Sequence, residues 1–473
     1  MKYLKRSIAL LIFVFIAFFA ACHSYKPLPE GLAHTGQKFP ASEVTFLGDN
    51  SWIDEAGNRQ LDHEIFDAVF ELIGEARRLV ILDMFLFNDF QGPQPERHRL
   101  LSSELTAALL AQKAAYPDIR IVVITDPLNT IYGGQESAYF QDMRAAGIDV
   151  VMTDLAPLRD SNPIYSWFWR LFIRPFGNET GGVFPNPLGQ GKVTARSYLA
   201  LANFKANHRK TLFADTPSGY AGLVTSANPH DGSSAHRNTA VRFTGAAAID
   251  LLKTENAVLA LSGRAPIPLP KPAPQRDAEA YVQIVTERAI KASVLNHINA
   301  AGRGDQIDLI MFYLSEDDII EALLAAKERG ANLRLLLDPN KDAFGHEKDG
   351  VPNRPVAAKL HKQDIKIRWA NVKGEQSHTK MLLLTAEQGE SVMIAGSANY
   401  TRRNINNYNL ETNVVVTGPA EAEVFSEAQS YFETSWKNKD AQSYSLPYTA
   451  YADDSLLLRL KSGFMEKSGI STF

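Results

Sequence analysis

The chain has 473 residues, of which 45% are hydrophobic and 22% charged, an ordinary globular composition with enough material for about two to three domains and a large buried core. The formal net charge is -4. There is therefore no overall basic field of the kind that drives sequence-independent binding to nucleic acid, although local basic patches remain open.

At the start of the chain, Lys2, Lys5 and Arg6 precede an uncharged apolar stretch from Ile8 to Ala21. That layout is a secretory signal, and the stretch is short for a spanning helix, which needs about 20 residues. Phe19-Ala20-Ala21-Cys22 resembles a bacterial lipobox, with Phe19 where leucine is usual, and Cys22 is the only cysteine in the chain. The resemblance implies lipidation of Cys22 and an extracytoplasmic, lipid-anchored envelope protein without disulfides. A cleaved signal peptide with an incidental cysteine, or an uncleaved anchor, would give the same pattern. Residues 1–22 are thus expected to be signal peptide and 23–40 a tether.

Two lobes should follow, 41–262 and 278–440, separated by the proline-dense linker 263–277 and trailed by an extension, 441–473. The linker can form neither helix nor inner strand. Across it the chain repeats itself. Leu79 to Phe87, Leu101 to Ala115, Ile119 to Thr125 and Asp126-Pro127 read as strand, helix, strand and turn. Ile307 to Leu314, Asp317 to Arg329, Leu333 to Leu337 and Asp338-Pro339 read the same way. Short apolar runs alternating with amphipathic helices predict a mainly parallel sheet covered by helices, so each lobe should be an α/β sandwich.

Late in each lobe lies a chemically suggestive cluster. Asn207-His208-Arg209-Lys210, Asp215 and Thr225-Ser226-Ala227-Asn228 in the first are matched by Ser377-His378-Thr379-Lys380 and Gly396-Ser397-Ala398-Asn399 in the second. A third H-x-K, His346-Glu347-Lys348, lacks both the following apolar strand and the S-A-N, and reads as accidental. Residues two apart on a strand share a face. His208 with Lys210, and His378 with Lys380, should therefore project together, and two such strands side by side would make a phosphate site.

These paired elements resemble the H-x-K-x4-D and G-S-x-N motifs of the phospholipase D superfamily, over most of residues 45 to 435. The resemblance implies two pseudo-twofold related α/β/α lobes with the active site at their interface, a monomer, and no metal or other cofactor. It implies that one histidine attacks phosphorus while the other protonates the leaving oxygen, with His208 the nucleophile and His378 the acid/base, although the reverse order is open. It further implies phosphate hydrogen bonds from Ser226, Asn228, Ser397 and Asn399, a structural Asp215, and a histidine-orienting Glu411, without saying which histidine. Two departures stand out: Thr385 replaces the second motif's aspartate, and Asn238 stands where Glu411 should recur.

The superfamily handles phospholipids, cardiolipin synthesis and nucleic acids. Membrane tethering and acidic net charge favour a phospholipid, as does Pro163 to Phe176, where Trp167, Trp169 and Phe172 with Arg170 and Arg174 suit a membrane interface or an acyl path. The same segment would also fit an aromatic helix buried between the lobes. Lys205, Arg209, Arg237, Arg402 and Arg403 could serve a headgroup phosphate, a nuclease or plain solvation. The alternatives are an extracytoplasmic nuclease and a non-catalytic envelope binding lipoprotein.

Overall fold

The computed structural model describes residues 22–473 except 42, 93–98, 273–277, 279, 344, 345, 440 and 472. The expected signal segment, residues 1–21, lies outside the described residues. Cys22 is exposed at the start of a single helical turn. Among the described residues no helix is long and apolar enough to cross a membrane.

In the first lobe the apolar runs become the parallel strands Leu79–Met84, Arg120–Thr125 and Asp149–Met152, linked by the helices Leu101–Ala115 and Ala138–Ala145. On the other side of Leu79–Met84 the strand Lys210–Thr216 runs antiparallel, followed outward by Gly219–Thr225, Asn238–Thr244, Val44–Ile53 and Arg59–Asp62. The second lobe repeats this plan. Gln306–Met311, Asn332–Leu337 and Lys366–Ala370 are parallel. Lys380–Thr385, Ser391–Gly396, Thr412–Gly418 and Ala280–Thr286 then follow as antiparallel neighbours.

The sheets are thus mixed and not mainly parallel as the apolar runs suggest. A run buried on both faces looks the same whichever direction its neighbour takes. What decides is the connection: Lys210–Thr216 and Gly219–Thr225 are joined by a tight reversal, with Gly219 at φ +145°, and so must pair antiparallel.

Strand periodicity distributes the side chains between two kinds of core. Val80, Leu82 and Met84 face outward onto the helix Ile65–Glu75 and Leu105 and Leu109, whereas Ile81 faces inward. In the second lobe Ile307, Leu309 and Met311 face outward and Ile310 inward. The inward residues of both sheets belong to one apolar cluster, in which Phe213, Val241 and Phe243 of one lobe join Ile284, Met393 and Val414 of the other. The helices Ala246–Leu261 and Glu423–Lys437 fill it with Leu251, Val258, Phe425 and Phe432. The lobes therefore share a core.

Residues 23–40 are not a loose tether. Ser24 and Leu32 are buried, His34 Nε2 lies 2.8 Å from Asp250 Oδ2, and Gly36 donates to Ile284 O at 2.8 Å. Phe39–Ala41 then pairs with Ala280–Thr286 at one edge of the second sheet, and Ser445–Pro447, from the expected extension, closes the other edge. Leu28, Leu32 and Phe39 give this segment enough apolar surface to dock across both lobes.

Asp215 caps the start of a strand. Its carboxylate accepts from the backbone N of Arg78 at 2.9 Å and Leu79 at 2.7 Å, and more distantly from Arg77. Thr385 does nothing comparable, meeting only Gln429 at 3.3 Å. In that lobe Asp305 serves the matching loop from within, accepting from Gly302 N and Glu387 N. Asp215→Ala is accordingly expected to cost about 1–3 kcal/mol in denaturant unfolding through its orphaned donors, and Thr385→Ala under about 0.5 kcal/mol. Equal losses would contradict this division.

Candidate active site

Each histidine sits just before its strand, and a buried aspartate fixes the residue ahead of it. Asp126 accepts from Asn207 N and Leu128 N, both at 2.7 Å. Asp338 accepts from Ser377 N and Asn340 N, also at 2.7 Å. The two Asp-Pro turns are therefore clamps as well as turns, a role their sequence did not announce.

The clamped segments meet the opposite lobe. His208 N donates to Leu410 O at 2.9 Å while Leu410 N donates to Ala206 O at 3.0 Å. His378 N donates to Arg237 O at 2.9 Å while Arg237 N donates to Gln376 O at 3.0 Å. These are two short parallel bridges, one per half.

Each bridge presents the next residue to a histidine of the other lobe. Beyond Leu410, both oxygens of Glu411 lie 2.9 and 3.0 Å from His208 Nδ1. Beyond Arg237, Asn238 Oδ1 lies 3.1 Å from His378 Nδ1. Asn238 Nδ2 donates to His236 O, which orients the amide and leaves Oδ1 as an acceptor. Both imidazoles therefore carry Nδ1–H, leaving Nε2 to meet a substrate.

Ser397 Oγ donates to Glu411 at 2.5 Å, and Ser226 Oγ donates to Asn238 Oδ1 at 3.0 Å. The serines were expected to bind phosphate. Their hydroxyls are instead spent on the groups that hold the histidines, so they are positioning residues. Asn404 is buried with its amide on Glu411. Asn228 Oδ1 accepts from Leu86 N at 3.3 Å, and Asn399 Oδ1 finds no hydrogen-bond partner among the described residues.

Lys210 Nζ donates to His208 O at 2.7 Å and lies 4.9 Å from the Phe85 ring. Lys380 Nζ donates to His378 O at 2.6 Å and lies 5.1 Å from the Phe312 ring. The same phenylalanines pack on His208 and His378, with centroids 4.7 and 5.0 Å apart. Sequence reasoning passed over Phe85 and Phe312, although each follows Met at the end of corresponding strands.

All four basic groups are nearly closed off: the histidines are 9% and 8% exposed, the lysines 0% and 1%. Burial pushes His208 down to about 4 and Lys210 to about 7. Burial, with the charges of Lys380, His236, Lys210 and His208, holds His378 well below the usual histidine range. Burial and Lys210 likewise depress Lys380. Four basic groups whose charged forms burial disfavours, with one carboxylate in contact with them, make a site short of an anion.

The other basic candidates are engaged elsewhere. Arg209 pairs with Glu287 at 2.8 Å, and Arg237 donates to Ser51, Asn371 O and Tyr444 O. Lys205 pairs with Asp160 at 2.9 Å, Arg402 donates to Tyr408 Oη, and Arg403 to the Gly469 and Ser471 carbonyls. Trp167, Trp169 and Phe172 lie on the helix Pro163–Phe172, the tryptophans half-buried and Phe172 exposed, so this helix is not buried between the lobes. Glu287, unnoticed in the sequence, accepts from both Arg209 and Glu411 N.

The family described as "Cardiolipin synthase, PLD-like domain" matches residues 294–436. Over 93% of its length the chain superposes on 97% of the phosphatidylserine synthase of Haemophilus influenzae, with a TM-score of 0.52 and 10% identity, a likeness of fold. It covers 99% of Nuc, a phospholipase D family member from Salmonella typhimurium, with 36% of its own residues, at 22% identity and a TM-score of 0.27. It spans about half, 53%, of a Porphyromonas gingivalis polyphosphate kinase, using 90% of its own residues at 14% identity and a TM-score of 0.45. No curated protein matches the sequence.

An anion entering this site should take up protons, because it restores charge to groups that burial has stripped of it. Tungstate, whose own charge is constant near neutrality, is expected to bind with affinity falling by up to about tenfold per pH unit above about 7, where Lys210 loses its proton. Calorimetry in buffers of different ionisation enthalpy would reveal the uptake. A flat profile, or one that persists in Lys210→Met, would refute the assignment.

Proposed function

Because residues 294–436 match a phospholipase D-like domain family and the first lobe repeats the same His-x-Lys element, we propose that the chain is a phospholipase D superfamily enzyme that cleaves or exchanges phospholipid headgroups through a covalent phosphohistidine. The observation that carries this reading is the exchange across the lobe interface, which leaves two Nε2 atoms and two lysines around one pocket. His208 Nε2 attacks phosphorus, and the bond from phosphorus to the leaving oxygen breaks as His378 Nε2 delivers a proton to that oxygen. Water or an alcohol then gives its proton back to His378 and attacks phosphorus, which breaks the N–P bond and frees His208. Lys210 and Lys380 supply charge to the phosphoryl oxygens throughout.

The unequal partners support this order of roles. A carboxylate at Nδ1 favours the positive phosphoimidazole, so Glu411 suits a nucleophile. A neutral amide does not, so Asn238 leaves the imidazolium of His378 a stronger acid. The proton that His378 needs arrives with the anionic substrate, whose charge reverses the depression seen in the empty pocket.

A phospholipid suits the site better than a nucleic acid. Arg209 and Arg237 are fully buried on internal partners and so do not offer their charge to a polyanion. We place the protein at the extracytoplasmic face of the envelope, anchored through Cys22.

Incubation with vesicles of phosphatidylglycerol or phosphatidylethanolamine, and separately with DNA, should yield phosphatidic acid or a new phosphodiester from lipid and leave DNA intact. Both His208→Ala and His378→Ala should lose activity by at least about 10²–10⁴-fold. Phosphate trapped during turnover should be found on His208. Its recovery on His378 would reverse the roles, and cleaved DNA with untouched lipid would replace the reading by the nuclease.

A further inference from the structure

The helix Leu456–Ser468 turns the wrong face outward. At 3.6 residues per turn, Leu456, Leu457, Leu460 and Phe464 fall on one stripe, and all four are exposed, Leu457 by 79%. The opposite face holds Leu458 and Ser462, which are buried, and Met465, which packs against the Phe312–Tyr313 cluster. The stripe continues into exposed Ile470.

The helix Pro163–Phe172, from the other lobe, does the same with Ile164, Phe168, Leu171 and Phe172, and Phe176 just beyond it is 73% exposed. The two helices come together where Gly469 passes Ser161, so closely that a Cβ on Gly469 would stand 1.8 Å from Ser161 O.

The charges borne by these two helices are mainly basic, with Lys461 paired to Asp349 and Arg170 to Asp160 while no ion pair is seen for Arg174, Arg459 or Lys467 among the described residues. From Ser161 to Asn178 the chain has Arg170 and Arg174 and no acidic residue. On the second helix Arg459, Lys461 and Lys467 are exposed, whereas its only acid, Glu466, points inward and accepts from Arg402 N at 2.7 Å. Such concentration of cations is unexpected in a chain of net charge -4.

The surface also abuts the site. Beneath the second helix, Phe473 packs on Tyr313 with centroids 6.0 Å apart, Tyr313 on Phe312 at 3.9 Å, and Phe312 on His378 at 5.0 Å. Beside the first, Asp160 is shared by Arg170 and by Lys205, and Lys205 lies three residues ahead of His208.

We propose that the outward faces of these two helices form one docking surface for an anionic phospholipid bilayer, laying the mouth of the active site against the headgroups. Exposed apolar side chains among exposed cations are what an interfacial helix presents to such a surface. The proposal rests on the phospholipid reading for its substrate and extends it with the helix Leu456–Ser468, to which the sequence reading gave no role.

The test uses the full chain with Cys22→Ser and a single new cysteine carrying an environment-sensitive fluorophore, at Leu460, Phe168 or the remote exposed Glu328. With phosphatidylglycerol vesicles the first two labels should shift to the blue and be quenched by brominated acyl chains, and the third should do neither. The shift should weaken markedly on phosphatidylcholine and vanish from position 460 in Leu457→Glu/Phe464→Glu. Silent labels at 460 and 168 on anionic vesicles would overturn the proposal, as would a concentration-dependent shift without vesicles, which would assign the face to a second copy of the chain. Product formation on the same vesicles separates the two readings. Turnover with silent labels removes the docking surface alone, and inserted labels without turnover remove the phospholipid substrate alone.

Discussion

The structure turns on a crossed arrangement at the lobe interface: each lobe carries one histidine and the group that holds the other lobe's histidine. An imidazole can present Nε2 usefully only if its other nitrogen has a fixed partner. Here that partner arrives through a single backbone bridge per half, at Leu410 for His208 and at Arg237 for His378. A bridge that short cannot keep its own register. The shared apolar core does so, because Phe213 and Phe243 from one sheet and Met393 from the other interlock with Phe425 of the helix Glu423–Lys437 in a single cluster. Behind Glu411 the buried Arg209–Glu287 pair adds a polar tie between the lobes, with Glu287 held at φ +46°, a conformation rare for a side chain of its size.

That same burial gives the site its electrostatic character. Burial alone would raise the carboxyl of Glu411, but His208, Lys210 and Ser397 hold it below the usual range, so it stays ionised. It offsets one of the four neighbouring bases at most. The lysines are meanwhile held on carbonyl oxygens and over aromatic rings, contacts that keep an ammonium in place without neutralising it. The pocket is therefore organised before an anion arrives and does not need to reorganise around it.

Much of this was legible in the chain. The doubled His-x-Lys with its S-A-N element marked the halves, and the repeated strand, helix, strand and turn gave the lobes. What escaped depended on the third dimension. The partner of Glu411 could not be named, because the bridge at Leu410 joins residues 203 positions apart. The serines looked like phosphate ligands because a hydroxyl beside a catalytic motif gives no sign that it is already engaged. Arg209 and Arg237 looked like a basic patch because sequence shows charge and hides burial. Phe85 and Phe312 left a faint trace, a repeated Met-Phe, that means something only once the strands are superposed. Strand direction was misjudged for a general reason, since doubly covered strands are apolar throughout in either orientation.

A duplicated site faces a problem that its symmetry creates. Two identical halves would make two equal histidines, yet a phosphohistidine pathway needs one to bond phosphorus and the other to move a proton. Asn238 breaks the tie at small geometric expense. Its oxygen stands 3.1 Å from His378, close to the 2.9 and 3.0 Å between Glu411 and His208, and each accepts from the serine of its own lobe. Only the charge differs. On the proposed pathway, this departure from the repeat is the feature that lets one half differ in role while both keep the same shape.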